Sequence, residues 1–107
     1  MKLIIAVVDD SDSRPLIDAL NRVRIGVTRL ASTGGFLLEG NTTLMVGVED
    51  HQVDQVIGLI RSTCVRRQRL IPQPVAEIPG GTPPMPIEVE VGGAIVWVLT
   101  IEHMERI

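Results

Sequence analysis

Apolar residues run without polar alternation from Leu3 to Val8, so the opening stretch Lys2–Val8 predicts a strand covered on both faces. Asp9 to Ser13 then reads as a turn and capping cluster, and Pro15 suits the first turn of a helix. Leu16, Leu20 and Val23 recur at i, i+4 and i+7, which sets one apolar stripe on a helix over 13–23. A second strand is predicted over 26–32, with Val27, Arg29 and Ala31 on one side and Thr28, Leu30 and Ser32 on the other. A third follows over 42–48. Glu49-Asp50 introduces a second helix whose apolar stripe is Val53, Val56, Ile57 and Ile60. Gly58 inside that helix costs about 1 kcal/mol relative to Ala, and a close packing contact would explain it.

Val65 to Ile71 reads as a fourth strand, made basic by Arg66, Arg67 and Arg69, which suits a solvated edge guarded against aggregation. The stretch 72–86 holds six of the seven prolines together with Gly80-Gly81, so it is a long loop, expected to be mobile. Ile87–Val91 alternates cleanly, Gly92-Gly93 predicts a tight hairpin turn, and Ala94–Leu99 returns as an apolar strand. Residues 101–107 read as a last helical turn. The order is βαββαβ with an added C-terminal hairpin, which is the α+β ferredoxin-like split arrangement in one domain over 1–107. Two helices cover only one face of such a sheet. The first, third and final strands are nevertheless apolar on both faces, so the second face requires a cover from another subunit.

Between the second and third strands the chain reads Leu30-Ala-Ser-Thr-Gly-Gly-Phe-Leu-Leu-Glu-Gly-Asn-Thr-Thr43. Turn signals at Gly34-Gly35 and Gly40-Asn41 make a small hook over 33–41, where glycine lets backbone N–H groups approach an anion closely. Thr28, Ser32, Thr33, Asn41, Thr42 and Thr43 ring the hook with hydroxyl and amide groups, and Phe36, the one Phe of the chain, offers a flat apolar face. Phosphate plus base is the ligand chemistry this combination suits. Gly-Gly and Gly-Asn are also ordinary turn residues, and the purely structural reading of the loop stands beside the binding one.

Composition narrows the partners. Over 107 residues the net charge is −3 and the pI about 5.3, which disfavours a nucleic-acid backbone or an anionic membrane surface. The opening apolar run is too short to span a bilayer and lacks a cleavage pattern, so a cytoplasmic location is expected. Cys64 is the single cysteine and reads as a small buried hydrophobe, while His51 and His103 stand apart among carboxylates with no metal-ligand spacing. No acid and base pair, nucleophile with its base, or metal cluster is visible, so no catalytic residue and no metal site are assigned. Asp9-Asp10-Ser11-Asp12 reads as a helix cap and not as a cation site.

Lys2-Leu-Ile-Ile-Ala-Val-Val8, Leu30-Ala-Ser-Thr-Gly-Gly-Phe-Leu37, Gly40-Asn-Thr-Thr43, Gly47-Val-Glu-Asp50 and Val89-Glu-Val-Gly-Gly-Ala94 together resemble the PII-like cyclic-di-AMP receptor proteins. The resemblance runs in order along nearly the whole chain. It implies a cytoplasmic homotrimer that holds the dinucleotide between subunits and relays its binding through mobile loops to a downstream protein. Position by position it implies ligand contacts at Thr28, Gly35, Phe36, Leu37, Asn41 and Gly47. The Thr28 hydroxyl suits a phosphate oxygen, Phe36 a base face, and the Asn41 amide the adenine N6 and N7 edge. The family has Asn and Arg where this chain has Arg24 and Gly26. Arg24 is the candidate replacement for the missing cation, provided that the strand extends back far enough to put both positions on one face. Two alternatives stay open: a PII-like sensor of another adenine nucleotide such as ATP, and a trimeric metal-tolerance or structural module that takes no nucleotide.

Overall fold

The computed structural model describes residues 1–30, 40–71 and 87–107. Its first strand, β1 (Lys2–Asp9), lies at the heart of a four-stranded antiparallel sheet, between β3 (Asn41–Val48) and β6 (Ala94–Thr100), with the short β2 (Thr28–Leu30) on the far side of β3. The order β2-β3-β1-β6 is that of a ferredoxin-like sheet, and the α+β fold class is the one the sequence predicts. Helices α1 (Asp10–Arg22) and α2 (Val53–Thr63), the latter entered through a 3-10 turn at Asp50–Gln52, carry the expected apolar stripes except at Val23, which is the exposed C-cap of α1 and not part of its buried face. Ile4, Ala6 and Val8 of β1, Leu44, Val46 and Val48 of β3, Leu16 and Leu20 of α1, and Val56 and Ile60 of α2 form one buried core.

The late strands are distributed differently from the prediction. β4 (Arg67–Ile71) pairs antiparallel with β5 (Ile87–Val91) as a separate two-stranded ribbon, with Arg67 opposite Val91 and Ile71 opposite Ile87. The fourth place in the main sheet goes to β6. Gly92-Gly93 therefore turns a corner from ribbon to sheet instead of closing a hairpin between residues 87–91 and 94–99. Both glycines have positive φ, +86° and +71°, and a Cβ at Gly92 would stand 2.2 Å from the Val65 carbonyl oxygen. Only glycine passes that corner.

Three local readings are also corrected. Helix α1 begins at Asp10, three residues earlier than predicted, because Asp9 caps it by accepting from the Ser11 N–H at 2.9 Å. Pro15 consequently sits in the second turn and not the first. Gly58 makes no close contact: a Cβ there would meet nothing within 4 Å. Residues 101–107 form no helical turn, and the Ile101 N–H is bonded to the Met1 carbonyl at 3.2 Å. The expected mobility of the proline-rich 72–86 and the geometry of the hook over 33–39 lie outside the described residues.

Candidate functional site

Antiparallel register decides which side chains share a face. Leu3 is opposite Gly47 on one side and Leu99 on the other. Ile5 is opposite Met45 and Trp97, Val7 is opposite Thr43 and Ile95, and Asp9 is opposite Asn41. Across β3, Thr28 is opposite Met45 and Leu30 opposite Thr43. Apart from Asp9, whose carboxyl turns back to cap α1, these residues project from the face away from the helices. No element among the described residues covers it, and Ile95, Trp97, Leu99 and Leu30 remain 39–59% exposed there. Among the described residues the apolar rows at the edges of this face are left exposed, while Thr43 near its centre is buried, at 8% exposure.

Thr28, Asn41 and Gly47, three of the residues singled out from the sequence, all lie on this one face of β2 and β3. Asn41 stands at the end of β3 where the hook rejoins the sheet. Gly47 leaves the face open, since a Cβ there would touch nothing within 4 Å. Gly35, Phe36 and Leu37 lie outside the described residues.

Arg24 is placed elsewhere. The strand begins at Thr28, so Arg24 is not in extended register with Gly26. It follows the C-cap of α1 at φ +62°, its N–H bonded to the Asn21 carbonyl at 3.0 Å, while the Ile25 N–H reaches the Leu20 carbonyl at 2.9 Å. That pair of bonds is a Schellman cap, with arginine in the left-handed position usually held by glycine. The strand-face argument for Arg24 as a phosphate partner falls.

A small cavity of about 190 Å³ opens beside Asn41, lined by Val7, Asp9, Arg66, the Gly92-Gly93 corner and Ile95 among others. Arg66 reaches Glu90 at 3.8 Å and is mostly exposed. Hydrogen bonds from the Ser11 hydroxyl and backbone N–H hold the Asp9 carboxyl below the ordinary carboxylate range, and Arg67 and Arg69 add attraction. A larger cavity of about 520 Å³ lies between α2 and β6, lined by Ile57, Ile60, Arg61, Cys64 and Val96 among others. Cys64 is buried at its wall, and burial pushes the thiol up to about 11.

The first turn of α1 carries more than a cap. Asp10 donates its N–H to the Gly40 carbonyl at 2.8 Å and accepts from the Thr42 hydroxyl with its carboxylate. Arg67 donates through Nη1 to Asp12 Oδ2 and through Nη2 to Asp12 Oδ1, both at 3.1 Å, and through Nη2 to the Ser11 hydroxyl at 2.8 Å. Ser11 in turn donates to Asp9 Oδ1 at 2.6 Å. The reading of the arginine run as a merely solvated edge missed this fork. Its partner lies 55 residues away, and no local pattern announces such a pairing.

Among the described residues no group of three or more His, Cys, Asp or Glu side chains is arranged to hold a metal ion. Among them, too, no helix is long and apolar enough to cross a membrane.

Comparison with known proteins agrees with this architecture. A functionally unknown protein from Pediococcus pentosaceus, known from its crystal structure, is similar at a TM-score of 0.74 and 39% identity, over 99% of this chain and 96% of that one. The family described as cyclic-di-AMP receptor matches residues 1–107. Along its whole length, from β1 through the hook and ribbon to the end of β6, this chain belongs to the cyclic-di-AMP receptor family.

Proposed function

We propose that this protein is a non-enzymatic receptor that binds cyclic di-AMP between the subunits of a homotrimer and passes the signal through its loops to a downstream protein. Membership of a receptor family over the full chain supports the ligand class. The observation that carries the site is the shared face: Thr28, Asn41 and Gly47 lie on one sheet face, opposite the helices, over which no other described element packs. A ligand held there is closed in by the subunit that covers the apolar rows of Ile5, Met45, Trp97 and their neighbours.

In this reading the Thr28 hydroxyl donates to phosphate, the Asn41 amide pairs with an adenine edge, and Gly47 leaves room for the ligand. Gly35, Phe36 and Leu37 supply the rest of the hook, with Phe36 against a base. Arg24 is left out of the contact set.

Titration calorimetry with cyclic di-AMP, beside light scattering of the free protein, tests the proposal. Heat of binding from a trimer, and a melting temperature that climbs with ligand, are expected; 100 times Kd of ligand raises stability by about 2.7 kcal/mol. A stable monomer, or a trimer with neither heat nor thermal shift, refutes it. A shift with ATP alone would change the ligand to another adenylate.

A further inference from the structure

We infer that Asp10 is a positioning residue for Asn41, and that Arg67 joins the β4–β5 ribbon to the same support, so that the start of β3 at Asn41 and the ribbon share one turn of helix. The inference rests on the reading of Asn41 as a ligand contact.

Asp10 grips both neighbours of Asn41. Its N–H holds the carbonyl of Gly40, which has φ +94°, and its carboxylate accepts from Thr42, which is 4% exposed and points to the helix side. With residues 40 and 42 tied to α1, strand alternation directs the Asn41 side chain to the opposite face of the sheet, away from the helices. The chain leaving the hook is thereby fixed in place and orientation where the amide must meet a ligand. A binding group held in advance loses less freedom on binding.

The ribbon is fastened to the same turn. Arg67 stands at the base of β4, opposite Val91, and its guanidinium grips Asp12 at two points and Ser11 at a third. Asp12 is 6% exposed, so this is a partly buried fork and not a surface pair. Arg67 Nη1 also donates to the Val65 carbonyl at 2.9 Å, and the corner at Gly92 packs against both groups. The ribbon base is thus clamped on one side by α1 and on the other by a corner that admits only glycine. Asp10 and Asp12 lie in the same helical turn, so a shift of that turn moves both attachments. Coupling of this kind is reciprocal.

Hydrogen exchange on the free protein and calorimetry with cyclic di-AMP test the inference together, using Thr42→Val, which removes the hydroxyl, Thr42→Ser, which keeps it, and Val48→Ala. Val48 is buried at the far end of β3, opposite Lys2, so its truncation is a control for general destabilisation. In Thr42→Val the ribbon amides of 67–71 and 87–91 should exchange about fivefold faster than in Val48→Ala. Its affinity for cyclic di-AMP should fall about tenfold, whereas Thr42→Ser and Val48→Ala stay within about twofold of wild type. Ribbon exchange in Thr42→Val equal to that in the control overturns the shared support, with or without a ligand. Equal affinity in all three variants overturns the positioning role and leaves the receptor reading intact. Failure of the wild type to bind removes the receptor reading and the positioning role with it, while the exchange result still decides the link between the start of β3 and the ribbon.

Discussion

Arg67 and Asp12 meet as a two-point fork, each guanidinium nitrogen 3.1 Å from its own carboxylate oxygen, across 55 residues of chain. The Asp12 side chain is 8% exposed and that of Arg67 38%, so the carboxylate is the partner that suffers when the pair is broken. Arg67→Ala leaves the Asp12 carboxylate without its fork and should lower the urea midpoint of unfolding, by less than the loss of a fully buried pair because water reaches the arginine side. Arg67→Lys keeps the charge but loses the fork and should lower the midpoint by a smaller amount. Urea denaturation of the three proteins measures both values. Equal stability of Arg67→Ala and wild type would show that the fork is decoration.

Asp9 ties the cap of α1 to pH. Its carboxyl is held below the ordinary value by Ser11, so the charged form is favoured in the folded state. A depressed carboxylate contributes stability that is present above its unfolded pKa and is lost as pH falls through the folded one. Melting temperature should therefore drop as pH is lowered from 5 through about 4 and below. Asp9→Ala should lose about 1 kcal/mol of cap at neutral pH. It should also show a shallower acid slope than wild type over the same range.

Two backbone positions invite stabilising changes. Gly58 faces open space in α2, so Gly58→Ala should add about 0.5 to 1 kcal/mol by helix propensity alone. Arg24 occupies a left-handed position at φ +62°, and Arg24→Gly should relieve about 1 kcal/mol there. Thermal melts at neutral pH read both. If Arg24→Gly melts lower than wild type, the side chain makes a contact that outweighs the backbone gain.

Much of this fold was legible because periodicity reports burial. The unbroken apolar run of β1, the stripe Leu16-Leu20, and Val56-Ile60 in α2 each reach the core as their spacing requires. The uncovered face followed from the same rows. What was hidden depended on long-range closure. Gly92-Gly93 has the positive φ that a hairpin or a corner would both demand, and only the competition between β4 and β6 for a place beside β1 decides between them. Arg67 looked like its neighbours Arg66 and Arg69 until the fold set Asp12 beside it. Of the site, Thr28, Asn41 and Gly47 fell on one face because strand alternation carries that information. The position of Arg24 was misjudged because Val23 to Val27 wind out of a helix before the strand begins.

The apolar face itself can be tested through its exposed row. Ile95 is 59% exposed and Trp97 42%, and their cross-strand partners Val7 and Ile5 continue the apolar surface inward. Each such side chain gains roughly 1 kcal/mol when another subunit buries its remaining exposed half, so the face favours association strongly when several are buried together. A carboxylate placed among them reverses the sign, since an unpaired charge in an apolar interface costs several kcal/mol. If the proposed trimer assembles through this face, Ile95→Glu should therefore sediment as a smaller species than the wild type at the same concentration. Its circular dichroism should remain native-like, because the residue faces away from the core of Ile4, Leu44 and Val56. Binding of cyclic di-AMP should fall together with assembly if the ligand lies between subunits, and recover at protein concentrations high enough to restore the trimer. A monomeric variant that binds with unchanged affinity would place the ligand within one subunit, and a variant that stays trimeric would show that the apolar row is not the surface that assembles.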